Sequence, residues 1–298
     1  MASGSPLPVW ERGRGVRGVF MPTIALVGAG GKMGCRITDN LRHSADTIYY
    51  LETGAGGLAR LAERGITVST EAEALPDADV IVLAVPDVAL AQISAQVVAQ
   101  LRPGALLMLL DPAAPLAGKI AHRDDIAQCV AHPCHPSVFN WEPTEAATRD
   151  FYGGVSAKQS IVCALIHGSE ADYALGAAVA RAMYAPIDRT HRLTLAQMAM
   201  LEPALVETLA QTCIEIIRAG YDRVVAQGVP EAAARDFLLG HLRIQIAVLF
   251  GEVDGTFSDA AYLISQRARA ILFRAGWETI FDSDDIHAQV AAITTPRS

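Results

Sequence analysis

From Thr23 onward the chain alternates short apolar runs with stretches in which apolar residues recur every three or four positions. The run Ile24-Ala25-Leu26-Val27 predicts a strand that stops at a glycine loop, and Cys35 to Leu41 beyond it has the spacing of an amphipathic helix. The pattern then predicts a strand over Thr47 to Leu51, a helix over Leu58 to Arg64 and a short strand over Thr67 to Thr70. Ala78 to Val85 and Gly104 to Leu110 are almost uniformly apolar, as strands buried on both faces of a parallel sheet must be. Leu90 to Leu101 reads as the helix between them, and Ile126 to Ala131 as the following strand. Ser160 to Leu165, Tyr173 to Tyr184 and Ile187 to His191 add a strand, a helix and a strand.

Strand signals end there. Thr194 to Gln227, Glu231 to Gly251 and Ala260 to Ala275 read as long helices, broken at Gly228-Val229-Pro230 and at Gly251 to Gly255. The fold class is therefore α/β: a doubly wound parallel sheet over residues 21–192, then an all-helical domain over 193–298. Residues 1–20, rich in Gly, Pro, Ser and Arg, are expected to be a disordered extension, and Met21 is a plausible natural start.

Composition narrows the function classes. Of 298 residues 51% are hydrophobic, enough for a large core, and no apolar run reaches the roughly 18 residues of a membrane span. A net charge of −8, with no basic run beyond Arg12 to Arg17, argues against nucleic acid as a partner. Five scattered cysteines without metal or disulfide spacing point to reduced thiols and a cytoplasmic protein. The long apolar helices carry more greasy surface than one small domain hides, so a homodimer is expected.

The glycine loop carries the first chemistry. Gly28, Gly31 and Gly34 follow a G-x-x-G-x-x-G spacing at a strand-to-helix junction. Gly28 allows the sharp exit, Gly30 and Gly31 let backbone N–H groups approach an anion, and Gly34 permits close packing. With Lys32 and Met33 opening the helix, the loop reads as a dinucleotide pyrophosphate site of the Rossmann type. Glu52, at the end of the second strand, would accept the adenosine ribose hydroxyls and repel a 2′-phosphate, favouring NAD over NADP. Otherwise it is a solvated strand-end acid.

Ligands in such sheets sit beyond the carboxyl ends of the strands, which makes three exits relevant: Pro86-Asp87, Asp111-Pro112 and His132-Pro133-Cys134-His135-Pro136. Pro86 is expected to border the nicotinamide, while Asp87 and Asp111 read as turn residues. His132 and His135 lie in a doubly proline-stiffened turn, and an imidazole there either takes a hydroxyl proton as hydride leaves or binds a metal. Cys134 between them is a less fitting nucleophile, since hydride transfer needs none. Glu202 sits in an apolar helical stretch before Pro203 and needs a partner: an arginine such as Arg192 or Arg218, or a divalent cation shared with His135. Glu207 is a weaker second ligand. Ser258 reads as the cap of the last long helix.

Two stretches resemble known enzymes. The loop string, the Leu83-Ala84-Val85-Pro86-Asp87 exit and the helical second half resemble the 6-phosphogluconate dehydrogenase-like superfamily, and His132-Pro133 is similar to the His-Pro turn of prephenate dehydrogenases. The string from Ala131 to Asn140, with Leu201-Glu202-Pro203-Ala204 and Phe257-Ser258-Asp259-Ala260, resembles the D-apionate oxidoisomerases of bacterial apiose catabolism, over about residues 22–275. The resemblance implies NAD, a divalent metal (Mg, Mn or Zn) and a small sugar-acid substrate, D-apionate. It also implies oxidation at C2 followed by an α-ketol shift to 3-oxo-isoapionate. On that reading His132 and His135 are catalytic and His135 with Glu202 holds the metal. A plain NAD-dependent hydroxyacid dehydrogenase, decarboxylating or not, and a non-catalytic NAD-sensing protein are the alternatives.

Overall fold

The computed structural model describes residues 21–295, so the expectation for residues 1–20 lies outside the described residues. The chain forms two compact units, one of residues up to Asp111 together with Lys119–Thr194, the other of Pro112–Gly118 together with Leu195 onward. A short segment between two strands thus groups with the helices, a feature no periodicity announces.

The first unit is built on a seven-stranded sheet of β1 (Thr23–Val27), β2 (Thr47–Leu51), β3 (Val80–Leu83), β4 (Leu106–Leu109), β5 (Ala127–Pro133), β6 (Gln159–His167) and β7 (Ile187–Arg192), in the order β2-β1-β3-β4-β5-β6-β7. The first five are parallel; β6 runs antiparallel to β5, and β7 parallel to β6. The sheet is therefore mostly rather than wholly parallel. β3 and β4 are buried at every position because helices cover both faces, which is why they read as unbroken apolar runs. Helices α1 (Lys32–Leu41), α2 (Ala55–Glu63), α3 (Glu71–Asp77) and α4 (Asp87–Val98) fill the crossovers. Ile24, Leu26, Ile37, Leu61, Val80, Val82, Leu106 and Met108 form the core with Ala177 and Met183 from the later helix Glu170–Met183.

Two strand expectations change. Thr67 to Thr70 is not a strand: Ser69 gives one amide to Tyr50, and Thr70 turns away to cap α3 by accepting the Glu73 amide. β5 runs two residues further than its apolar pattern, because β6 pairs His132 with Val162 and Pro133 with Ile161. Pro133 is tolerated there because β4 has ended at Leu109, opposite Val130, leaving that edge of β5 without a ladder to supply.

In the second unit, α5 (Ala113–Leu116) joins helices from Leu195 onward, and Ala113, Ala199, Ala204, Ile286 and Val290 make its buried core. Met200–Gln211 is π-helical and contains Pro203, whose missing N–H fits poorly into a regular α-helix. Thr212–Ala226 and Asp259–Leu272 bury no residue, and Glu231–Leu249 buries Ala234 alone. Among the described residues no helix is long and apolar enough to cross a membrane.

Candidate functional site

The register fixes the site. Val27 lies opposite Leu83, Leu83 opposite Leu109, and Leu109 opposite Val130. β1, β3 and β4 therefore end level, opposite Val130 of β5, which runs on to Pro133, and their exits share one edge of the sheet: the glycine loop after β1, Pro86-Asp87 after β3, Leu110-Asp111 after β4 and His132 near the end of β5.

At the first exit Gly28 has φ +80, and a Cβ there would stand 2.5 Å from the Ala84 carbonyl, so no other residue fits. Gly31 caps α1, whose first turn holds Lys32, Met33 and the buried Gly34. Gly30 is also needed for packing: a Cβ there would overlap the Gly57 backbone of α2. Its N–H is donated to Glu52 Oε2 at 3.0 Å, and its carbonyl accepts Arg60 Nε at 2.7 Å. Glu52 Oε1 accepts the amides of Thr53 at 2.9 Å and Gly54 at 2.8 Å. A carboxylate offers about four lone-pair directions, so three accepted amides leave capacity for a hydroxyl. Pro86 caps α4, and Asp87 is its first residue.

Both histidines are held by backbone carbonyls. His132 donates Nδ1–H to Leu110 at 2.7 Å, and His135 donates Nδ1–H to Tyr152 at 2.8 Å. In each neutral ring the lone pair then sits on Nε2, the atom a base or metal ligand must present. His135 has φ +60, the left-handed region that a non-glycine residue occupies only when its surroundings hold it there. His132 belongs to the strand and His135 to the loop after it, so the two differ in how they are held.

Tyr152 is a residue that sequence reasoning missed. Besides its bond to His135, its ring lies 4.3 Å from the Arg36 guanidinium and 5.8 Å from Lys32 Nζ, linking the β5–β6 loop to α1. Asp150 orders the same loop by accepting amides from Val155, Ser156 and Ala157 at 2.9 to 3.1 Å. Burial would raise its carboxyl, but those amides and Arg36 outweigh it and hold it below the usual range. No local pattern marks these residues. Asp87, read as a turn residue, is pushed up to about 6, chiefly by burial and then by Asp111; its own backbone N–H and His132 pull the other way.

Glu202 is half-buried at the start of the π-helical segment, in the second unit. The arginines considered for it are engaged elsewhere: Arg192 with Glu170 at 2.5 Å and Arg218 with Asp222 at 2.8 Å. Glu207 is exposed, and Ser258 caps its helix by accepting the Ala261 amide. Cys134 is exposed, whereas burial pushes the Cys163 thiol up to about 12. Among the described residues no three or more His, Cys, Asp or Glu side chains cluster as a metal cage.

Residues 140–294 match the family described as phosphogluconate dehydrogenase (decarboxylating), C-terminal, and residues 21–137 match the NADPH-binding domain of acetohydroxy acid isomeroreductase. The chain is similar to the D-apionate oxidoisomerase of Cupriavidus necator, 48% identical over 91% of this chain and 99% of that one. It is also similar to the D-apionate oxidoisomerase of Rhizobium rhizogenes, 45% identical over 92% and 100%. Among solved structures, a semialdehyde dehydrogenase NAD-binding protein from Cupriavidus necator, in complex with calcium and NAD, is 46% identical with a TM-score of 0.90, covering 92% of this chain and all of that one. An NADH-preferring ketol-acid reductoisomerase from an uncultured archaeon shares the fold alone, at 18% identity and a TM-score of 0.63 over 92% of this chain and 82% of that one.

Proposed function

This chain belongs to the D-apionate oxidoisomerase family, and from that premise we propose that it is an NAD-dependent enzyme converting D-apionate to 3-oxo-isoapionate. The observation that carries this reading is the similarity to two such oxidoisomerases along nearly their whole length. The paired histidines beside a dinucleotide-type glycine loop support it.

The chemistry assigns distinct work to each residue. The amides at the α1 N-terminus face the pyrophosphate, the remaining lone pair of Glu52 takes a ribose hydroxyl, and Pro86 borders the nicotinamide. His132 accepts the C2 hydroxyl proton on Nε2 while hydride leaves the same carbon. The second step is redox-neutral. The C3 hydroxyl loses its proton, a hydroxymethyl group moves with its bonding electrons from C3 to C2, and the C2 oxygen is protonated.

NAD would accept the hydride, and a divalent cation, for which His135 and Glu202 are the candidate ligands, would supply Lewis acidity to the substrate. The donor chemistry of this chain suits such a cation: the Tyr152 carbonyl fixes His135 in the tautomer that leaves Nε2 for a ligand.

The functional partner is a second copy of this chain. Phe237, Leu249, Phe250, Leu263 and Ile271 are each about 70% exposed or more on helices that bury almost nothing of their own. Helices of that kind are stabilised by covering their apolar faces, and closed two-fold pairs are the commonest way to do so. Analytical ultracentrifugation at micromolar concentration is expected to give a dimer, and a stable monomer would refute this.

The deciding experiment incubates the protein with NAD and a panel of branched and linear aldonates, with and without chelator, and identifies the products. The expected result is a 3-oxo product from D-apionate that disappears with chelator. A 2-keto acid alone, insensitive to chelator, would mark a plain dehydrogenase.

A further inference from the structure

Two carboxylates follow the strand exits next to the one that carries the imidazole assigned as base, and sequence alone presents them only as turn residues. Leu109 lies opposite Val130, so Asp111 stands two residues past the end of β4 and His132 two residues past that pairing on β5, while Asp87 opens α4 four residues past the end of β3 at Leu83. Asp87 is partly buried and feels both the Asp111 carboxylate and His132. Tyr184 is a further titratable neighbour, a buried phenol that donates to the Ala131 carbonyl at 3.2 Å and feels Cys163 and then Asp111, and Cys163 itself pairs with Ala131 and feels Cys134. His132 cannot turn away, because its Nδ1–H is committed to Leu110.

We propose that Asp87 and Asp111 form a carboxylate pair that positions and electrostatically supports His132, setting how readily its Nε2 holds a proton. The proposal rests on His132 being the base of the oxidation. In that step the hydroxyl proton passes to Nε2, the hydride passes to NAD, and the ring becomes imidazolium. The pair takes no proton from the substrate; its negative charge stabilises the imidazolium as it forms. Two neighbouring carboxylates resist ionising together, so the pair holds one proton at mildly acidic pH and gains its second charge as pH rises.

The test is an NMR pH titration of the His132 ring in the full-length protein, assigned by comparison with His132→Asn. It is carried out on the native chain, Asp87→Asn and Asp111→Asn. Both variants remove negative charge, so both are expected to lower the His132 midpoint by about half a unit or more. The acid limb of kcat/KM for the oxidation is expected to move in the same direction, with NAD affinity unchanged. A side chain serving only to start α4 would alter stability and leave the midpoint in place. An unmoved His132 midpoint, within about 0.2 unit, in either folded variant overturns the pair. If Asp87→Asn does not fold, Asp111→Asn carries the same readout. The titration uses no substrate, so a wrong substrate assignment would show in the product analysis while this result stood.

Discussion

The carboxylate of Glu52 accepts the amide hydrogen of Gly30 at 3.0 Å, joining the end of β2 to the loop that ends β1. One side chain therefore shapes the glycine loop and, on the proposed reading, is also the candidate ligand of the ribose. Glu52→Ser removes the acceptor for the Gly30, Thr53 and Gly54 amides and is expected to cost about 1–3 kcal/mol of stability. It should also cut the preference for NAD over NADP by about tenfold, equivalent to about 1.4 kcal/mol. Calorimetric titration with both nucleotides and denaturant unfolding measure the two effects. A native preference for NADP would remove Glu52 from the ribose.

Glu202 belongs to the second unit and the nucleotide loop to the first. Glu202→Gln is accordingly expected to keep NAD affinity within about twofold while losing divalent-cation binding and turnover. Titration with Mg, Mn and Zn salts, monitored by calorimetry, tests this. Intact cation binding in the variant would break the His135–Glu202 pairing.

Removing either imidazole should lower turnover by about 10² or more, the usual scale for a positioned acid–base group. The two variants are expected to differ in product. His132→Ala should stall before oxidation, whereas His135→Asn should release some unrearranged 2-keto acid, because oxidation has occurred without the second step. Chromatography of single-turnover mixtures separates these outcomes; identical product ratios would mean the histidines do not divide the work.

The raised carboxyl of Asp87 has a stability consequence whose sign follows from linkage. Its folded-state value, about 6, lies above the ordinary 3.8, so the folded chain binds the proton more tightly than the unfolded chain between those values. Stability is therefore lost as pH rises from about 4 to about 6, by an amount of order 1 kcal/mol once solvent screening is allowed for. Urea unfolding of the native chain and Asp87→Asn at pH 4 and pH 6.5 should show this increment in the native chain alone. Parallel pH dependences would contradict it.

β3 and β4 were legible because burial on both faces leaves the continuous apolar runs Val80 to Leu83 and Leu106 to Leu109. The glycine loop and Glu52 were legible because their spacing along the chain is itself the signal. What periodicity missed depends on other parts of the chain. Thr67 to Thr70 has strand-like residues but takes up the cap of α3, and β5 extends through Pro133 only because β6 returns beside it. Tyr152, Arg36 and Asp150 meet through a loop of no local pattern. Asp87 and Asp111 are 24 positions apart in sequence, and only strand register makes them neighbours.

Ala113 is wholly buried in the core it shares with Ala199, Ala204, Ile286 and Val290. The helical unit is thus discontinuous along the chain, and its first contributor is synthesised more than eighty residues before the next. During translation α5 must wait for the remaining helices to emerge before its apolar side is covered. A fragment begun at Leu195 would lack that side chain and leave a gap against Ala199, Ala204, Ile286 and Val290. Gene fusions and truncations that treat the helices as a detachable C-terminal cassette are therefore expected to yield insoluble protein, whereas circular permutants that keep 112–118 in the same polypeptide retain every piece of the core.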